Sequence, residues 1–270
     1  MPLGKDSTLD AMGLLRFARA FRRKLRLRFA AGEQADELAQ WRVIAKKVRL
    51  FAAYRYIRGS GIEIGALNRP LQTYHRARVQ YVDRLPTDQL RLDCPEVADQ
   101  TLVEVEQVED GEKLTSIADE SCDFVIANHV IEHTRNPIGA IENMFRVLKP
   151  NGILYMAVPD KRFTFDAARA LTSYEHLKRD YFESPDWSDA EHYLDWITGV
   201  GKETDEFEAG RRASEIQAGR ANIHFHVWTQ REFIELVLNV RRDFELPIEI
   251  EAMIKNSQEL VVVLRKANLG

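Results

Sequence analysis

The chain is short of most residues that announce a function by themselves. It has two cysteines in 270 residues, Cys94 and Cys122, at no metal-ligand spacing. So few disfavour a disulfide framework and make a reducing cytoplasm the expected location. No apolar run approaches the ~18 residues needed to span a bilayer. The N-terminus holds no uninterrupted apolar core of signal-peptide type, because Arg16 and Arg19 cut into GLLRFARAF. No internal repeat or low-complexity segment is present. No G-x-G-x-x-G stands between the first strand and the first following helix, which removes the dinucleotide-binding dehydrogenases.

What is there suits a soluble α/β protein: 45% hydrophobic and 30% charged residues. At 270 residues the chain is one large domain with additions, or two small ones. The net charge of -4 is unevenly placed. Residues 1–58 hold 14 Lys+Arg against 5 Asp+Glu, a balance of +9; the rest hold 24 against 37, a balance of -13. A basic arm thus precedes an acidic body. The densest part, RFARAFRRKLRLRFA, reads first as a solvated helix face packed on the body or on another subunit of a homo-oligomer. Contact with an anionic membrane surface or a charged glycan is the less favoured reading.

Residues 34–58 carry apolar side chains at three- and four-residue spacing and predict a helix. SGIEIG, VQYVDR, LVEVEQV (102–108), CDFVIANHV and ILYMAVPD (153–160) predict strands. Between the last two, NPIGAIENMFRVLKPNG predicts a helix with Asn136 as cap, Pro137 at the first position and Gly152 at the exit. Strands that alternate with helices and are mostly apolar throughout mean a parallel sheet covered on both faces. Near the end, TQREFIELVLNV opens with a T-x-x-E capping box at Thr229 and Glu232. PIEIEAMIK and ELVVVLRKA then follow with only NSQ between them, which permits a hairpin and not a parallel crossover.

In such a sheet ligands bind beyond the carboxyl ends of the strands. The first such end is Gly65 in GIEIGALNRP, where a missing Cβ lets a ligand approach the backbone. Glu63 could accept hydrogen bonds from loop amides or balance a cationic ligand. Asp83 and Asp110, after the next two strands, line the same crevice, and a carboxylate after the second strand suits a ribose diol.

From about residue 58 onwards the chain resembles the class I S-adenosylmethionine-dependent methyltransferases. The resemblance rests on IEIGALNRP, YVDR, VEDGEKL, ADESCDFVIANHVIEHTRNP, ENMFRVLKPNGILYMAVPD and the terminal hairpin. It implies a Rossmann-like seven-stranded sheet, mostly parallel, with an antiparallel last strand. It also implies S-adenosyl-L-methionine as cofactor: Gly61, Glu63 and Gly65 under the methionine part, Asp83 on the ribose hydroxyls, Asp110 at the adenine amino group, and Asn128 and His129 on the methionine side. The usual G-x-G-x-G loop is replaced by G-A-L-N-R-P, with Asn68 and Pro70 making the turn; Asn68 joins the candidate cofactor residues. The expected organisation is a basic helical arm (1–57), a cofactor-binding core (58–160), an inserted substrate lid (161–228), and a helix with two antiparallel strands completing the core (229–270).

The acceptor is less directly written. The Asn/Asp-Pro-Pro-aromatic element of enzymes that methylate DNA-base amines is absent after the fourth strand. No RNA-binding module is recognisable and the body is acidic, so nucleic acid is not expected as a partner. Residues 161–228 are too long for a plain connection. Their D-K-R-F-T-F-D and H-x-H-x-W patterns resemble a subgroup of bacterial polysaccharide-biosynthesis methyltransferases, by analogy only. A hydroxyl becomes a competent nucleophile when a base takes its proton or a metal lowers its pKa. His224 and His226, two apart in an extended stretch, share a face. His192 and Asp195 share a helix face. Asp160 ends the fifth strand. The candidate catalytic residues are therefore His224, His226, Asp160 and His192, with His224 favoured as base. Asp160, His192 and His226 form a candidate metal set; Mg2+ prefers carboxylates and water, whereas paired histidines suit a transition metal. Trp187, Trp196 and Trp228 offer flat surfaces suited to sugar rings.

The reading that follows is an O-methyltransferase acting on a saccharide or glycan hydroxyl. The alternatives are a methyltransferase on a non-sugar small molecule such as a quinone, and a non-catalytic cofactor-binding scaffold in a glycan-assembly complex.

Overall fold

A computed structural model describes residues 46–73, 76–95 and 97–268. Within that range the helix expected over 34–58 runs from 46 to 56 (α1); its first part and the basic stretch before it lie outside the described residues. The sheet follows: β1 (Ser60–Ile64), β2 (Arg78–Asp83), β3 (Gln107–Val108), β4 (Cys122–Asn128), β5 (Leu148–Pro159), β6 (Ile248–Asn256) and β7 (Glu259–Lys266). Helices α2 (Thr87–Asp93), α3 (Pro137–Val147), α4 (Tyr174–Glu183), α5 (Asp189–Asp195), α6 (Glu206–Ala218) and α7 (Gln230–Asp243) are interleaved.

The strands lie in the order β3-β2-β1-β4-β5-β7-β6. β1 to β5 pair in parallel, while β7 is antiparallel to both β5 and β6. This is the seven-stranded Rossmann-like sheet with an antiparallel terminal strand that the sequence predicts. Alternate residues of β4 feed two cores. Val125 and Ala127 face α3 and α7, whereas Phe124 and Ile126 face Ala52, Ala53 and Ile57 around α1. Burial on both faces is why this strand reads as continuously apolar. A third cluster, built on Tyr193, Ile197, Ala213, Ile216 and Phe225, gives the stretch 161–228 a core of its own.

Local chemistry sets most boundaries. Asn136 accepts the Gly139 amide at 3.0 Å and Pro137 occupies the first turn of α3. Thr229 and Glu232 close the capping box of α7. At Gly61 a Cβ would lie 2.0 Å from the Phe124 carbonyl, so only glycine lets β1 and β4 pair there. Two expectations need correction. The strand predicted over 102–108 is reduced to Gln107–Val108, because Val103 donates instead to the Leu67 carbonyl and Val105 to the Thr87 hydroxyl. The helix exit is Leu148, not Gly152: β5 begins at once, and Gly152 follows Asn151, whose φ is 66°. Among the described residues no helix is long and apolar enough to cross a membrane.

Candidate active site

Parallel register brings Gly65, Asp83, Asn128 and His129 to one edge of the sheet. Val82 pairs beside Ile64, and Gly65 donates to the Val82 carbonyl at 2.9 Å. Gly65 has φ +66°, a conformation that favours glycine, and its position is otherwise open, with Val130 3.5 Å from where a Cβ would stand.

Glu63 is 1% exposed and points its carboxyl back at the loop after β1, where both oxygens accept the Leu71 amide, at 2.8 and 3.2 Å. The acid inside an apolar strand thus anchors the turn that lacks the usual glycines. Burial pushes its pKa up to about 7, against the pull of the Leu71 amide and the Arg49 charge. Asn128 also lowers it slightly, yet neither polar atom of the Asn128 amide reaches hydrogen-bond geometry with any described residue. A buried amide with both ends unsatisfied invites a polar ligand.

Asp83 is buried, takes the Arg84 amide on Oδ1 at 2.8 Å, and has its pKa raised by burial. Asp110 is more open: it accepts the Glu112 amide at 2.9 Å and pairs with Lys113 at 3.0 Å. The Asn68 amide is bonded to Gln100, which fixes the turn.

His129 has φ +55° and half-exposed side-chain edges. Its Nδ1 lies 3.2 Å from Glu132 and its Nε2 2.9 Å from Glu259, which Arg49 also grips at 2.7 Å. Burial opposes a charge on His129, but the two carboxylates prevail and raise its pKa to about 9; Glu259, for its part, falls to about 2. With 43% of its side chain accessible, the two carboxylate contacts set the direction of the shift.

Beyond the strand ends, His224 places Nδ1 2.7 Å from Asp166 Oδ2. Arg169, 3% exposed, donates to Asp166 at 2.9 Å, to Asp195 at 2.6 Å and to the His224 carbonyl at 2.8 Å. Burial works against the Asp166 charge, but His224 and Arg169 hold its pKa below the ordinary range. Phe165 and Trp196 flank the His224 ring, with centroids at 4.8 and 5.8 Å. His133 meets it edge-on at 4.7 Å, and its Nδ1 binds the Ile223 carbonyl at 2.9 Å. Glu132, fully buried, completes a group with His133 and His224 whose ligand atoms lie within 4.8 Å of one another.

The remaining candidates separate. His226 does not join His224; it enters a second group with His176, Asp180 and His192. Asp160 is not part of that group. It is tied to Arg162 at 2.6 and 2.9 Å and to the Gln230 amide at 3.4 Å, and these partners outweigh burial in lowering its pKa. Asp195, expected beside His192, binds Arg169. Of the tryptophans, Trp228 is core at 1% exposure, Trp187 carries Arg179 on its face at 4.0 Å, and Trp196 alone of the three borders His224. Glu132, Asp166, Asp180 and Glu259 were not foreseen as site residues. The spacing of His176 and Asp180, four apart on α4, was the readable signal for one of them.

A cleft of about 540 Å³ opens at the opposite edge, among Arg55, Arg58, Lys149 and Arg265. It lies at the amino ends of β1 and β5, away from the edge where Asn128 is unsatisfied, and we do not assign the chemistry there.

Residues 59–156 match the family described as "Methyltransferase domain". That stretch, from just before β1 into β5, carries a methyltransferase domain. S-adenosylmethionine is the cofactor expected of that family, and the residues fit it: an unsatisfied buried amide at Asn128, a positive-φ glycine at Gly65 and a buried carboxylate at Asp83. Among solved structures, a SAM-dependent methyltransferase from Aquifex aeolicus aligns with 83% of this chain and 89% of its own, at 11% identity and a TM-score of 0.45. Another, from Methanosarcina mazei, aligns with 80% of this chain and 96% of its own, at 18% identity and a TM-score of 0.42. No curated protein matches the chain. What the methyltransferase methylates has to be read from its own residues.

Proposed function

We propose that this methyltransferase transfers a methyl group to a hydroxyl of a saccharide acceptor, with residues 161–228 as the substrate lid and His224 as the general base. The observation that carries this reading is the His224–Asp166 pair between two aromatic rings. Asp166 accepts from Nδ1, so it fixes the tautomer that leaves Nε2 as the basic nitrogen. Arg169 holds Asp166 as an anion, and the anion favours the imidazolium that forms when the acceptor proton arrives.

The bound cofactor supplies an electrophilic methyl on a sulfonium. With the cofactor bound, His224 would take the proton of the acceptor hydroxyl as that oxygen accepts the methyl group and a neutral thioether is left. Glu132 spans the gap: it touches His129 at the strand edge and groups with His224 in the lid, so cofactor side and acceptor side share one buried carboxylate. Phe165 and Trp196, both partly exposed, provide apolar faces for a ring bearing hydroxyls at its rim.

The test is a panel of free sugars and sugar nucleotides incubated with methyl-labelled cofactor. Transfer to a carbohydrate hydroxyl, lost in His224→Asn, is the expected result. Transfer to an amine or a phenol with no sugar accepted would replace this reading with the small-molecule one.

A further inference from the structure

The second group of histidines lies outside the proposed chemistry and asks for its own explanation. His176 Nε2 is 3.0 Å from His192 Nε2 and 3.3 Å from Asp180 Oδ2, and His226 Nε2 is 3.7 Å from that same oxygen. All four ligand atoms lie within 4.8 Å of one another. A zinc ion with bonds of about 2.0–2.1 Å holds its ligands on a tetrahedron whose edges are about 3.3 Å. The three measured edges bracket that value.

Protein groups alone leave the cluster badly satisfied. Among the described residues Asp180 Oδ2 and His226 Nδ1 have no hydrogen-bond partner, His226 Nε2 reaches only the Arg135 carbonyl at a long 3.4 Å, and the Trp187 indole N–H, though near Asp180, does not reach hydrogen-bond geometry. Asp180 and His226 are each 0% exposed. Three imidazoles crowded on one carboxylate, in the dry interior, are an expensive way to fill space.

The surroundings are those of a metal site. Ser188 donates to the other Asp180 oxygen at 3.1 Å, and His192 is hydrogen-bonded to the Phe225 backbone, so ligands are oriented by a second set of contacts. Burial and the neighbouring imidazoles push the His192 pKa down to about 3 and that of His226 well below its usual value. Neutral imidazole is the form that binds a metal.

We propose that His176, Asp180, His192 and His226 bind a divalent transition metal, zinc by preference, in a closed four-ligand site. Three nitrogens and one carboxylate oxygen suit zinc over magnesium or calcium. No position is left for a substrate, so the ion is structural. It joins α4, α5 and the stretch before α7, three pieces of the lid far apart in sequence. His176, whose side chain is 20% exposed, marks the way in. The site is independent of which acceptor is methylated.

The full chain, purified without a histidine tag, should contain about one equivalent of zinc by mass spectrometry of the metal. Removing it with a chelator should lower the Tm by several degrees, and adding zinc back should restore it. Cobalt in its place should give the intense visible absorption of a tetrahedral site. His176→Gln, at the most exposed ligand, should abolish the cobalt spectrum and the bound equivalent, whereas Glu132→Gln, in the neighbouring group, should keep both. A wild-type chain that retains no metal after zinc saturation and washing overturns the proposal. So does an equivalent that survives both His176→Gln and Asp180→Asn, which would place the ion elsewhere. Binding of S-adenosylhomocysteine, followed in the same samples, separates loss of the metal from loss of the methyltransferase site.

Discussion

The Glu63 carboxyl sits over the amide of Leu71, eight residues on, and clamps the loop that closes the first strand. Because burial raises its pKa to about 7, the folded protein holds this proton more tightly than the unfolded chain, whose glutamate titrates near 4.5. Stability should therefore be highest below about pH 4.5 as far as this group is concerned. It should fall as pH rises from there to about 7 and level off above, a loss on the order of 3 kcal/mol. Glu63→Gln keeps an oxygen for Leu71 and has nothing to titrate. Its urea midpoint, compared with wild type between pH 5 and 8, should lose that slope; an unchanged slope would assign it to another group.

Asp83 is the buried carboxylate at the end of β2, with one oxygen committed to the Arg84 amide. Asp83→Asn should weaken S-adenosylhomocysteine about 10- to 100-fold, the cost of exchanging charge-assisted hydrogen bonds to ribose for neutral ones. Calorimetry on the folded variant reads this directly. Asp110→Asn, at an exposed carboxylate already paired with Lys113, should cost less.

How much of this was legible in the sequence depends on how far apart the partners are. The capping box at Thr229 and Glu232, the Asn136 cap and the turn of the terminal hairpin are contacts within a few residues, and the local order of residues specifies them. The carboxyl-edge residues Gly65 and Asp83 followed from strand ends, which parallel patterning constrains, whereas Asn128 came only with the resemblance to the methyltransferases. The lid did not follow. His224 and His226 are two apart, yet one turns to Asp166 and the other to Asp180, because the stretch between them is irregular, with the Phe225 and His226 amides sharing the Glu132 carbonyl. Period-two reasoning holds only where a ladder enforces it. The short β3 fails for a related reason: its alternation is intact, but its amides had been taken by Thr87 and Leu67.

Arg169 is the keystone under the proposed base. Its guanidinium is 1% exposed and serves Asp166, Asp195 and two backbone carbonyls. Arg169→Met fills the space but leaves Asp166 buried without its counter-charge, so denaturant unfolding should show a loss of about 3–5 kcal/mol. A loss under about 1 kcal/mol, the range of a surface pair, would mean that water reaches Asp166.

His224→Asn removes the nitrogen that would accept the proton and should lower turnover about 10²–10⁴-fold. S-adenosylhomocysteine affinity should barely change, since Asp83 and Asn128 stand at the strand edge and not in the lid. Asp166→Asn keeps the shape but favours the wrong imidazole tautomer, and should fall in the same range without altering cofactor affinity. The two losses should not multiply in the double variant, because both act through one nitrogen. Asp160→Asn is the control that decides between bases. Its carboxylate is bound to Arg162 and to the start of α7, so its loss should register in stability more than in turnover. If Asp160→Asn abolishes transfer while His224→Asn turns over near the wild-type rate, the fifth-strand carboxylate takes the proton and the His224–Asp166 pair only braces the lid.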